Sequence, residues 1–243
     1  MATHGDADHR VPIASVTKVL TALAVLVAVE EGSVDLDQPA GPPGSTLRHL
    51  LSHASGLGLD GGVLNPPGRR RVYSNAGIEA AAAAVEDGTG IAFRTYLREA
   101  VLDPLGMTAT TLDGSPAWGV TSSATDLVAL ARELHRPTVI SAETHRLATT
   151  VAYPGLTGVV PGFGRQDPND WGLGIEIRGA KHPHWTAPGN DPTTFGHFGR
   201  SGSFVWVDPA AGLALTVVTD ETFEQWAIDA WPRLGQAVLD AFA

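Results

Sequence analysis

From Val19 to Val29 the chain runs through alanines, leucines and valines with hardly a polar interruption, led in by Ser15-Val16-Thr17-Lys18 and followed by Glu30, Glu31 and Gly32. A helix that is apolar on every side cannot lie on a surface; it needs cover all round. The run is too short to span a bilayer. Arg10 and Lys18 precede it as in a signal peptide, but no small-x-small cleavage site follows, and two glutamates do. The pattern therefore predicts a buried helix over 15–31, ended by Gly32, around which the other elements pack. With no targeting signal visible, the sequence as given reads as cytoplasmic, with no membrane span.

The remaining elements fall into two groups. Thr46 is a suitable N-cap for a helix over 47–53, and an alanine-rich helix is expected over 75–86, closed by Gly88 and Gly90. Further helices are predicted over 93–101, over 124–135 behind the N-cap Ser123, and after Ser141. After that the composition changes. Segments 171–178, 194–198, 203–207 and 213–219 have strand character, and Asp208-Pro209-Ala210-Ala211-Gly212 separates the last two as a hairpin loop. A helix over 223–242, interrupted around Pro232, closes the chain. The expected fold is α+β: an antiparallel sheet flanked by helices, with an inserted all-helical region. Residues 1–40 with 160–243 would form the sheet-and-helix domain, and 41–159 the mainly helical insertion.

Composition excludes several function classes. The 243 residues carry a formal net charge of −10, which repels nucleic-acid phosphates, so no nucleic-acid partner is expected. There is no cysteine, hence no thiol nucleophile, disulfide or thiolate metal site. Arg69-Arg70-Arg71 follows Pro66-Pro67-Gly68 and reads as a solvated turn.

Of sixteen basic residues only Lys18 and Lys181 are lysines. Arginine does not give up its proton at a useful pH, whereas lysine can. Ser15 and Lys18 are three apart, so a helix puts hydroxyl and amine on one face. That is the arrangement that makes a serine nucleophilic. Free backbone N–H groups at the helix start would stabilise an oxyanion, although Ser15 also fits a plain N-cap role. Tyr73-Ser74-Asn75 precedes the next helix and can project a phenol and an amide into one cleft. Unperturbed lysine and tyrosine both titrate near ~10. A lysinium beside the phenol favours phenolate, and the two can share one proton. Gly196-His197-Phe198-Gly199-Arg200-Ser201-Gly202 is a glycine-rich strand edge that a ligand or another backbone can approach closely. His49 and His53 lie four apart, but Leu50 stands where a metalloprotease needs glutamate, so no metal is assigned. His182 and His184 read as surface or pocket-rim residues.

In this order, these three segments resemble the Ser-x-x-Lys, Tyr-x-Asn and Lys/His-x-Gly blocks of serine hydrolases of the class C β-lactamase and penicillin-binding-protein type. The likeness extends to residues 46–57, to Pro104-Leu105-Gly106-Met107 and to Thr121-Ser122-Ser123-Ala124-Thr125-Asp126-Leu127. The resemblance implies Ser15 as acylated nucleophile with Lys18 and Tyr73 as its proton acceptors. It implies Asn75 as a substrate-orienting amide, and His197, Gly199 and Arg200 as substrate-binding residues. The backbone N–H groups of Ser15 and Arg200 would form the oxyanion hole. No cofactor is implied, and the substrate would be a small-molecule ester, amide or peptide. A non-catalytic descendant that binds acyl or peptidoglycan-like ligands, and a D-Ala-D-Ala-type carboxypeptidase, are the alternatives.

Two departures from the family pattern stand out. His197 replaces a lysine, removing a fixed cation from the substrate-carboxylate site and favouring neutral esters over β-lactams. Only fourteen residues precede Ser15, too few for the family's N-terminal hairpin. A sheet lacking that hairpin would expose an edge and an apolar face, which a homodimer would cover.

Overall fold

The computed structural model describes residues 2–243 and is built around the apolar run. Val11–Pro12 forms β1, a 3-10 turn at Ala14–Val16 carries Ser15, and α1 spans Thr17–Glu30. In α1 every residue from Thr17 to Leu26 is buried, and Gly32 (φ 74°) takes the left-handed turn that ends the segment. The predicted helix is therefore present, but its first turn is tighter than α, placing Ser15 at a bend rather than on a regular helix face.

Around α1 stand α2 (Leu47–Leu51), α3 (Asn75–Thr89) and α4 (Phe93–Leu97), which continues as a wider turn over Arg98–Leu102. Two short strands follow, β2 (Thr111–Leu112) and β3 (Val120–Ser122), then α5 (Ala124–His135) and α6 (Ala142–Ala148). Side-chain oxygens of Ser74, Ser123 and Ser141 accept hydrogen bonds from the N–H groups of Gly77, Asp126 and Thr144, capping α3, α5 and α6. The stretch between α1 and the main sheet also holds β2 and β3, which form a small sheet with β1 in the order β1-β3-β2, and the hairpin of β4 (Gly158–Val160) and β5 (Gly164–Gln166). Strands two or three residues long carry too little alternation to be legible in a sequence.

The main sheet is antiparallel, in the order β6 (Glu176–Ile177), β7 (Phe195–Phe198), β8 (Phe204–Asp208), β9 (Leu213–Val217). Helix α7 (Gln225–Phe242) closes the chain. Alternation along β8 divides the core: Val205 and Val207 join the cluster containing α1, while Phe204 and Trp206 join the one containing Trp231 and Leu239 of α7. The sheet is thus sandwiched between the two helices.

Three expectations need correction. Pro232 does not interrupt α7, which runs on with Ala227, Trp231, Gly235 and Leu239 buried along its inner face; tertiary packing outweighs the one hydrogen bond that proline removes. The 171–178 segment contributes only two strand residues, because an isolated bridge between Trp171 and Glu176 turns the chain back on itself. The edge expected on the sheet is present at β9, but its apolar face is partly covered rather than bare. Leu213, Leu215 and Val217 of the edge strand β9 pack on the α7 cluster, and α5 lies against β8 and β9.

Total burial of α1 demands close approach by its neighbours, and Gly174 shows how close. It has φ +77°, and a Cβ built there would lie 2.1 Å from the Cβ of Ala22. We expect Gly174→Ala to lower the denaturant midpoint by an amount equivalent to about 2–4 kcal/mol, from left-handed strain and overpacking together. An equilibrium urea titration checks this.

Candidate active site

The turn that carries Ser15 is held by the sheet. Ala14 has φ 45°, an uncommon conformation for a residue with a side chain, and it directs the chain from β1 into α1 with Ser15 at the bend. The end of β7 lies against this turn: a Cβ at Gly199 would fall 2.4 Å from the carbonyl oxygen of Ile13 and 3.1 Å from the nitrogen of Ser15. Only glycine permits that approach, and it brings Arg200 beside Ser15. Ser15 sits in the first turn of its 3-10 segment, where backbone N–H groups have no helical acceptor.

Lys18 is completely buried, and its amine has three neighbours. Nζ lies 2.8 Å from Asn75 Oδ1, 2.9 Å from the Ala117 carbonyl oxygen and 3.1 Å from Ser15 Oγ. Two of these partners can only accept. A neutral amine has two N–H bonds and one lone pair, so the two carbonyls take the protons and the lone pair is left facing Ser15. Burial lowers the Lys18 pKa to about 7, with the charge of Glu79 acting in the opposite direction. The supporting shell is defined. Ser115 Oγ donates to Glu79 Oε1 (2.5 Å) and accepts from the Ala117 N–H (3.0 Å), and Thr21 Oγ1 donates to the Pro116 carbonyl (2.6 Å). The Ala117 carbonyl is a backbone group with no signature in the sequence.

Tyr73 lines the same cavity as Ser15, and Lys18 Nζ stands over its ring, 4.7 Å from the centroid. Burial pushes the phenol pKa well up. The lysinium–phenolate pair read from the sequence is therefore disfavoured, because desolvation works against both charges: the phenol keeps its proton and the amine titrates near neutrality. Asn75 is fixed at both ends of its amide: Oδ1 faces Lys18 and Nδ2 donates to Asp60 Oδ1 (3.3 Å).

His197 is buried and donates Nδ1–H to the Phe198 carbonyl at 2.7 Å. Burial, and the nearby Lys18, depress its pKa to about 3, so it is neutral. Its ring packs with Tyr73 and Trp171 (centroids 5.9 and 5.5 Å). His53, which the sequence placed in a structural block, packs on the same two rings at 4.6 Å from each, and its Nδ1 accepts from the Ser74 N–H (3.3 Å). It fixes the Tyr73 segment from behind. Glu176 also lines the cavity, with its charge engaged by Lys181 (3.4 Å), His184 (3.3 Å) and the Trp185 indole N–H (2.8 Å). Burial opposes its ionisation, but Lys181 and His184 outweigh it and hold the pKa down to about 2. His184 thus belongs to a buried cluster rather than to the surface, while His182 is exposed.

The arginine run also divides. Arg69 and Arg70 are exposed, but Arg71 is buried. Its guanidinium donates to the carbonyls of Ser52 (2.7 Å), Asn169 (3.1 Å), Tyr153 (3.0 Å) and Ala152, and its backbone N–H donates to the Thr157 carbonyl (2.8 Å). Two residues before Tyr73, one cation thus ties together four chain segments. Among the described residues no group of histidines and carboxylates could hold a metal, and no helix is long and apolar enough to cross a membrane.

A family model described as Beta-lactamase matches residues 3–238. The chain belongs to the β-lactamase family. A solved β-lactamase from Mycobacterium bovis superposes with a TM-score of 0.98 at 55% identity, covering 100% of this chain and 90% of that one. More distant solved structures share the fold alone. Unliganded simvastatin synthase from Aspergillus terreus gives a TM-score of 0.78 at 20% identity, covering 100% of this chain and 86% of that one. A penicillin-binding protein from Bacillus halodurans gives 0.74 at 19%, covering 93% and 85%. No curated protein matches the chain by sequence.

For this family member the Arg71 clamp yields a stability test. Arg71→Lys keeps the charge but cannot reach four carbonyls. Buried acceptors left unpaired cost about 1–3 kcal/mol each. We expect Arg71→Lys to lose about 2–4 kcal/mol by urea titration and Arg71→Ala to lose more.

Proposed function

We propose that the chain is a serine hydrolase that works through an acyl-enzyme on Ser15, without metal or cofactor, on a neutral ester or amide. The observation that carries this reading is the Lys18 amine, held by two carbonyl acceptors with its remaining valence toward Ser15 Oγ. A pKa near 7 makes that amine a competent base at neutral pH. Lys18 accepts the Ser15 proton as Oγ attacks the substrate carbonyl. The backbone N–H groups of Ser15 and Arg200 steady the oxyanion. Tyr73, entering as a protonated phenol on Ser15, donates to the leaving group and is recharged from Lys18. Water then attacks the acyl carbon by the reverse proton path. Asn75 keeps Lys18 in place and, as the family resemblance implies, orients the substrate.

The absence of a fixed cation at His197 supports neutral substrates over carboxylate-bearing β-lactams and D-Ala-D-Ala peptides. Intact mass after exposure to a fluorophosphonate, with peptide mapping, tests the nucleophile. One adduct on Ser15 is expected, with p-nitrophenyl ester turnover faster than that of nitrocefin. Ser15→Ala should remove both adduct and turnover. An adduct on Ser201, or no adduct on a folded protein, rejects the reading and leaves a ligand-binding descendant.

The pH dependence follows from Lys18. Its working form is the free amine, so kcat/KM should rise as pH passes through about 7 and level off above it. Lys18→Arg keeps the charge but not the titration, and should lose on the order of 10²–10⁴ in kcat, close to the loss in Lys18→Ala. A pH–rate profile that is flat between pH 5.5 and 9 would refute Lys18 as the base.

A further inference from the structure

The large apolar side chains that remain exposed are not evenly spread. Four of them are Leu59 (50% exposed), Leu64 (65%) and Trp118 (51%), on loops, and Trp226 (39%), in the first turn of α7. Leu59 and Trp118 line the catalytic cavity directly. Leu64 packs onto the same loop as Leu59: its Cδ1 is 3.3 Å from where a Cβ on Gly58 would be. Trp226 stands 3.2 Å from the corresponding position on Gly202, in the turn that follows Arg200. Exposing two indoles and two leucines carries a solvation cost that a surface in water ordinarily avoids, and apolar patches mark binding sites.

Behind this rim the cavity holds about 630 Å³, far more than an acetyl or a lactam ring occupies. Its lining includes Val160, Pro161, Phe198 and Phe223, all without charge. Polar groups line it too. Of these, His197 is neutral with Nδ1 committed to Phe198, and Glu176 is taken up by Lys181, His184 and Trp185. Among the lining residues a carboxylate would meet no buried cation. Arg200, exposed at the rim, is the one cationic side chain among the lining residues.

We infer that the substrate is a neutral ester whose acyl part is an extended apolar chain, seated against Phe198 and Phe223 and passing out between Leu59 and Trp118. This inference rests on the serine-hydrolase reading and adds the substrate class. The Ser15 Oγ–acyl carbon bond forms and the ester C–O bond breaks, the alcohol leaving with the proton held by Tyr73. Water then cleaves the Ser15 ester, giving a carboxylic acid and restoring the hydroxyl. Each methylene buried along the walls contributes up to about a fourfold gain in kcat/KM, the factor equivalent to its transfer from water.

The test is a p-nitrophenyl ester series from acetate to decanoate, assayed below the micellar concentration of each ester, with monosuccinate as a charged probe. We expect kcat/KM to climb at least tenfold from acetate to octanoate. The octanoate-to-acetate ratio should fall at least fivefold in Leu59→Ser and in Trp118→Ala, each checked for folding by circular dichroism. Ser15 labelled and acetate hydrolysed, but with a flat or falling chain-length profile, overturns this inference and leaves the serine-hydrolase reading intact. Preference for monosuccinate over butyrate overturns it too, and points to Arg200 as a carboxylate anchor. If both variants keep the wild-type ratio but turn a dimer into a monomer by size-exclusion chromatography, the rim is an interface between copies and the inference is wrong. No labelling and no hydrolysis removes both readings together.

Discussion

The constraint on which this molecule turns is the burial of one amine. Lys18 lies inside α1, in an otherwise apolar cylinder, and a charged ammonium there would cost several kcal/mol without compensation. The structure compensates partly, with two carbonyl acceptors and a distant glutamate, and leaves the group titrating near neutrality. Much of the architecture serves that compromise. The start of α3 delivers Asn75, the Ser115–Ala117 bend delivers a carbonyl, and the end of β7 closes over the nucleophile turn. Moving any of these elements would alter the pKa as well as the geometry.

The same low-dielectric surroundings assign states to the neighbouring groups. Tyr73 stays a phenol and His197 a neutral imidazole because burial disfavours both charged forms. Glu176 keeps its charge, since Lys181 and His184 are in direct contact with it. A phenol, a neutral imidazole and no buried cation among the lining residues support the uncharged acyl substrate proposed for this site.

Two stiff supports hold this arrangement. Arg71 gathers carbonyls from the segments around 52, 152 and 169 just before the chain reaches Tyr73, and His53 closes the Tyr73 segment from the other side through Ser74. Both lie in stretches whose sequence reads as ordinary: an arginine run after Pro-Pro-Gly, and a histidine in a helix-end block. Their role depends on carbonyls that only the folded chain brings near, and a carbonyl has the same identity at every position of a sequence.

What the sequence determined by itself was local or periodic. The apolar run dictated a central helix, the Ser15–Lys18 spacing placed hydroxyl and amine together, and α5 and α6 started behind Ser123 and Ser141 as expected. The blocks around Ser15, Tyr73 and His197 carried the family, since each is contiguous and its residue types are chemically restricted. Tertiary structure decided the protonation states, because desolvation depends on what covers a group from remote parts of the chain. It decided that Arg71 and His184 are buried although their neighbours Arg70 and His182 are exposed. It also let Pro232 continue a helix, recruited the Ala117 carbonyl and opened the cavity rimmed by Leu59 and Trp118. Each of these follows from contacts between residues distant in sequence, whose energies no local pattern encodes.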